Sequence, residues 1–339
     1  RMDIYAWVGI AEVLFKLGLV FVLLYMPFGD NLIAYGSILA TWTIGLQVFY
    51  RIFCLRLFPE THLTLCKNKS IYKSMLNYSM WDFIGQFCYT GNNQGANILI
   101  NMFFGVTVNA ARSVAYQVEN ALTQFTNNFM TSLNPQIVKS YAQQDYNRFF
   151  QLIYAGGKFA FFLLFTMSLP LFLEMDYVLS LWLVEVPEYT TLFLRFIMCN
   201  SLFRISSYST MNGVHATGDV KFLNLSAGMW NMLTYLPVIY LLFKFDFPVW
   251  SMFFVMAQSS LVANIFDAWA LHRKQKYSIS NFLKEVYLKP YLVCAVSCIV
   301  PVLVFCQMES SFVRLIVTII VSVTSSLCCI YFLGLNAQM

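Results

Sequence analysis

Apolar residues run along this chain in long unbroken stretches, not in alternation with polar ones. At about 20 residues per membrane span, the stretches predict ten helices over 4–27, 31–54, 76–103, 106–133, 150–173, 189–212, 221–243, 248–271, 288–307 and 312–334. Continuous runs favour helices over a transmembrane barrel, whose strands alternate. Two basic connections interrupt the series, 55–75 after the second helix and 272–289 after the eighth. Each is expected to form a short amphipathic helix along an anionic leaflet. The order is therefore two helices, then six, then two. The chain opens at Arg1, almost inside a helix, as a fragment lacking upstream sequence would.

Composition sharpens the class. Of 339 residues 59% are apolar and 11% charged, and mean hydropathy is +0.64. Soluble domains carry about 25% charged residues, so a water-facing surface cannot be covered and the soluble-enzyme readings fall away. The chain reads as an all-α polytopic membrane protein.

Charge placement orients it. Fourteen Lys and Arg fall in alternate connections: Arg1; Arg51, Arg56, Lys67, Lys69 and Lys73; Lys139 and Arg148; Lys221; and Arg273, Lys274, Lys276, Lys284 and Lys289. The opposite connections hold Lys244, Arg314 and seven acids, among them Glu174, Asp176, Glu185 and Glu188. The positive-inside rule then places both ends in the cytoplasm. The net charge of +5 needs no nucleic acid to explain it.

Nine cysteines form no CxxC pair and no metal spacing, and read as small apolar fillers. His62, His215 and His272 are scattered, so no metal site and no cofactor is expected.

The third and fourth helices carry the chemistry. Asp82, Gln86, Asn93, Asn97 and Asn101 fall within about 100° of arc on one helix. Asn109, Arg112, Tyr116, Glu119, Thr123 and Asn127 fall within about 80° on the next. Such stripes cannot face lipid without large cost. They imply either a shared wet cavity or interhelical hydrogen-bonded glue, and glue rarely takes five or six residues per helix. Amides, Tyr116 and Thr123 suit sugar hydroxyls, while the planar fork of Arg112 suits phosphate oxygens. The alternative for Arg112 is an internal ion pair with Glu119 or Asp82. Arg204, sharing a face with Asn200, Ser207 and Met211, is a second cavity cation. Arg195 is expected to reach Glu185 or Glu188, and Glu12 and Lys16 to pair at i, i+4.

The stretch NQGANILINMFFGVTVNAARSVAYQVENALTQFTNNFMTSLNPQIVKSYA at 93–142 resembles the Wzx-type polysaccharide flippases of the MOP exporter superfamily, relatives of the lipid II flippases and MATE drug exporters. VLSLWLVEVPEYTTLFLRF at 178–196 resembles the family's outer loop, and ATGDVKFLN at 216–224 its short inner turn. The resemblance implies a two-lobe transporter with an incomplete first lobe, about four N-terminal helices being absent. Residues 1–54 would be the last two helices of that lobe, 55–75 the inter-lobe linker, and 76–271 the six-helix second lobe. Residues 272–287 would be a second linker and 288–339 two additional helices bordering a groove for a lipid tail.

The implied activity is flipping of a polyprenyl-pyrophosphate-linked oligosaccharide across a bacterial cytoplasmic membrane for surface polysaccharide synthesis, by alternating access. Membrane lipids and other glycan-assembly proteins are the further partners. Asp82, with Gln86 beside it, is the candidate for Na+ or H+ coupling. A MATE-like cation-coupled drug exporter would use the same fold with carboxylates and aromatics dominating the cavity. A membrane enzyme of glycan assembly is disfavoured, because the largest outer connection is short and acidic and no span centre holds a histidine. The expectation is a transporter, not an enzyme.

Overall fold

The computed structural model describes residues 2–25, 30–58, 61, 68–275 and 277–334. Every regular element among them is helical. Among the described residues, six segments are long and apolar enough to cross a membrane: Ile33–Leu57, Tyr146–Leu173, Lys221–Lys244, Ser251–Arg273, Ile279–Gln307 and Phe312–Gly334. The chain is an all-α polytopic membrane protein. It forms two compact units, Arg1–Lys69 and Ser70–Met339.

The first unit holds α1 (Met2–Tyr25) and α2 (Asn31–Leu57). Phe15 stacks on Trp42 with ring centroids 3.8 Å apart, and Lys16 reaches Glu12 at 2.7 Å as the spacing predicts. Of the expected 55–75 amphipathic helix, residues 55–57 end α2 and 69–75 begin the next long helix, while 59–60 and 62–67, including His62, Cys66 and Lys67, lie outside the described residues, as does Lys276 in the second connection.

The second unit begins with α3 (Lys69–Phe104), α4 (Val106–Ala142) and α5 (Tyr146–Leu173). A short α6 (Met175–Trp182) follows, then α7 (Thr190–Ala216). The last four are α8 (Lys221–Lys244), α9 (Ser251–Gln275), α10 (Ile279–Gln307) and α11 (Phe312–Gly334). The turn from α3 to α4 rests on Gly105, whose φ of 85° lies where a side chain would be strained. Helix α4 runs nine residues past the predicted end at 133 and carries Pro135 within it. A proline usually ends a helix in water, but inside a bundle neighbouring helices resatisfy the freed backbone.

The core is built by α4, α5, α7 and α9. In a membrane the lipid tails are as apolar as leucine, so close packing and hydrogen bonds, not burial from water, hold helices together. Small residues let the backbones approach. A Cβ on Gly157 of α5 would sit 2.6 Å from the Ser206 carbonyl oxygen of α7. A Cβ on Gly85 of α3 would sit 2.3 Å from the Asn224 side chain of α8. Gly157→Ala is therefore expected to destabilise by about 1–3 kcal/mol, the usual cost of overpacking. Gly91→Ala, which meets nothing within 4 Å, should be neutral or stabilising by about 0.5–1 kcal/mol. Melting temperatures in detergent check this: equal values for the two variants would show that Gly157 does not set the α5–α7 spacing.

The connection after α9 departs from expectation. Residues 279–287 do not form a separate surface helix but are the start of α10, which passes through a π turn at Leu283–Leu288 and continues to Gln307. Tyr277, Phe282 and Val286 are buried in the core, and Tyr277 stacks on Tyr154 of α5 at 5.2 Å. The charges that suggested a surface helix lie on the other side, where Lys289 pairs with Glu285.

Candidate functional site

The two polar stripes meet about 10 Å below the α3–α4 turn, because Asn97 and Arg112 lie six to seven residues from it on antiparallel helices. Arg112 is 3% exposed. Its Nη1 donates to Asn97 Oδ1, whose own Nδ2 donates to Gln94 Oε1 at 3.2 Å. The guanidinium carbon lies 4.7 Å from the centroid of the Tyr116 ring. Nε and Nη2 are buried and have no hydrogen-bond partner among the described residues. Among the described residues no carboxylate pairs with Arg112, which removes the internal ion pair with Glu119 or Asp82 as its explanation. A buried cation without a counter-charge is costly, and two unsatisfied N–H-bearing atoms of a planar fork are what an oxyanion would complete.

From Arg112 a column of polar groups follows α4 and α7 toward the basic end. Ser201 Oγ of α7 donates to Glu119 Oε1 at 2.6 Å. The Thr123 hydroxyl is spent on its own helix, donating to the Glu119 carbonyl at 3.1 Å. One turn on from Ser201, Arg204 Nη1 donates to Asn264 Oδ1 at 2.7 Å and to Asp267 Oδ2 at 2.8 Å. Asn264 Nδ2 in turn donates to the Tyr287 hydroxyl at 2.7 Å, tying α9 to the π turn of α10. Below these, Asn212 Nδ2 donates to Asn134 Oδ1 at 2.8 Å, and the Tyr78 hydroxyl lies 3.3 Å from His215 Nδ1.

Not every predicted residue joins this column by a bond. Asn93 donates to the Tyr89 carbonyl of its own helix at 3.3 Å. Gln86, Asn101 and Asn127 are exposed, and Asp82 is half-buried, one turn from Tyr78. Arg204 is a partnered cation, 35% exposed at its side chain, unlike Arg112. Arg195 pairs with Asp176 at 3.0 Å and not with Glu185 or Glu188, because α6 folds back and presents its first turn to α7.

The sequence reading missed the carboxylate that matters most to Arg204. Asp267 is 1% exposed and sits among apolar neighbours in α9, 63 residues from its partner. The available signal was Asn264 three residues before it, which puts both on one face. It also missed that Glu174, 1% exposed, receives a two-pronged bond from Arg314, with Nε to Oε1 and Nη2 to Oε2 both at 2.8 Å. Lys158, in the apolar fifth helix, is 1% exposed, and its Nζ has no hydrogen-bond partner among the described residues.

No family model, curated protein or solved structure matches the chain. The site therefore stands on its own chemistry. Among the described residues no group of His, Cys, Asp and Glu could hold a metal ion. What the arrangement offers is Arg112, a buried cation beside an aromatic ring and without a counter-charge among the described residues, followed by a run of amides, hydroxyls and paired charges.

Proposed function

We propose that the protein is a transporter that flips a polyprenyl-pyrophosphate-linked oligosaccharide across the bacterial cytoplasmic membrane. Arg112 carries the reading: a buried guanidinium with Nε and Nη2 unpartnered among the described residues and an aromatic ring against its face. Pyrophosphate would complete its bonds, and the amides and hydroxyls along α3, α4 and α7 would replace the hydration of the sugars. The lipid tail would stay in the bilayer while two lobes rock about the head group. In this reading the chain has ten spans with both ends in the cytoplasm, and Asp82 is the carboxylate for Na+ or H+ coupling.

The test uses the protein as the cell makes it. Arg112→Ala removes the charge and the fork; Arg112→Lys keeps the charge alone. Surface glycan is expected to fall at least about tenfold for Ala, the equivalent of about 1.4 kcal/mol, and less for Lys. Asn97→Leu, which removes the bond holding the guanidinium, should also reduce it. Leu163→Val, on the exposed side of α5, should not. Membrane abundance is measured alongside glycan. Wild-type export by a stably inserted Arg112→Ala protein would remove the phosphate assignment, and with it the preference over a drug exporter.

A further inference from the structure

A cavity lies apart from this column, between the first turn of α8 and the last turns of α9. It encloses about 600 Å³ and is lined by Asp219, Lys221, Phe222, Leu225, Ala270 and Arg273 among others. That volume falls in the range of about 300–1,000 Å³ typical of small-molecule sites. Aromatic rings set the two cations. Lys221 Nζ lies 4.8 Å from the Trp81 ring centroid, and the Arg273 guanidinium carbon lies 5.5 Å from that of Phe222. Phe222 is held edge-on by Trp269 at 4.9 Å. Among the described residues neither cation makes an ion pair, whereas Asp219 is itself partnered.

The lining changes character with depth. Lys221 and Arg273 stand at the helix ends, while Leu225 and Ala270 lie about one turn further in. A soluble anion has no use for the apolar inner wall. A phospholipid does, since its phosphate sits outside its glycerol and acyl chains. Trp81 and Trp269 flank the site, as tryptophans do at the level of the head groups. Basic pockets between helices on the positively charged side are where anionic head groups dock. We propose that this cavity binds the head group of an anionic glycerophospholipid, its phosphate held by Arg273 and Lys221. The assignment is independent of any transport activity.

Native mass spectrometry of the full chain, titrated with phosphatidylglycerol or phosphatidylcholine, tests it. The wild type should retain phosphatidylglycerol in preference. Lys221→Ala/Arg273→Ala should weaken that retention about tenfold, or about 1.4 kcal/mol. Lys139→Ala/Arg148→Ala, which removes two cations elsewhere at the same end, should change it less than about twofold. Arg273→Gln alone, close to the native length, gives a second measure should the double variant not elute as a single species. Inorganic phosphate should not displace the lipid. Equal retention of phosphatidylcholine, displacement by phosphate, an equal loss in the Lys139/Arg148 control, wild-type retention by the double variant, or wild-type retention by Arg273→Gln where the double variant does not elute as a single species would each overturn the proposal.

Discussion

Arg204→Met is expected to destabilise the protein by about 3–5 kcal/mol, the cost of leaving a buried charge without its partner. The orphan would be Asp267, 1% exposed, with Oδ1 already lacking a hydrogen bond. Ser207 Oγ at 3.4 Å would be the only remaining donor to Oδ2 among the described residues, and a long one. Methionine keeps the volume of the arginine stem, so loss of packing contributes little. The double variant Arg204→Met/Asp267→Leu should recover most of the loss, because a buried pair replaced by apolar residues is often neutral or stabilising. The measurement is a double-mutant cycle on unfolding in mixed detergent micelles. Additive losses would mean that Arg204 and Asp267 are not energetically a pair, and that Asn264 carries the network.

The second large effect belongs to the opposite end of the bundle. Arg314 of α11 grips Glu174 through Nε and Nη2 at 2.8 Å each, and Thr318 Oγ1 adds a third bond at 3.1 Å. The guanidinium also lies 4.5 Å from the centroid of the Phe305 ring of α10. Glu174 sits between α5 and α6, so one side chain ties that corner to both C-terminal helices. Arg314→Lys retains the charge but cannot make the paired bonds, and should lose about 1–3 kcal/mol. Arg314→Met leaves Glu174 buried and uncompensated, and should lose about 3–5 kcal/mol. Limited proteolysis in detergent gives a local readout: cleavage between α10 and α11 should accelerate in both variants, more in Met. Identical rates for Lys and wild type would show that charge alone holds the corner.

How much of this was legible in the sequence depends on the distance over which the residues act. The α3 and α4 stripes could be read because helical period places their members on one face, and Asn97 and Arg112 meet because a tight turn joins the two helices. Arg204 and Asp267 could not be matched, since α7 is polar on several sides and 63 residues separate the partners. Nothing local says which neighbour a mid-helix arginine will find. The start of α10 misled for a related reason. Lys284, Glu285 and Lys289 dominate its appearance, while Phe282 and Val286, four residues apart, decide its placement by packing under α5.

The π turn at Asn224–Gly228 gives α8 one residue more than an unbroken α-helix would use over the same height. Everything beyond it is rotated by roughly 100° relative to a regular continuation. That rotation is what seats Leu236 over Gly95 and brings Tyr240 and Phe243 to Phe103 of α3. The match between α8 and α3 is thus set by how many residues precede the contact as well as by which residues make it. Deletions of a single residue upstream are a more drastic change to this surface than most substitutions within it.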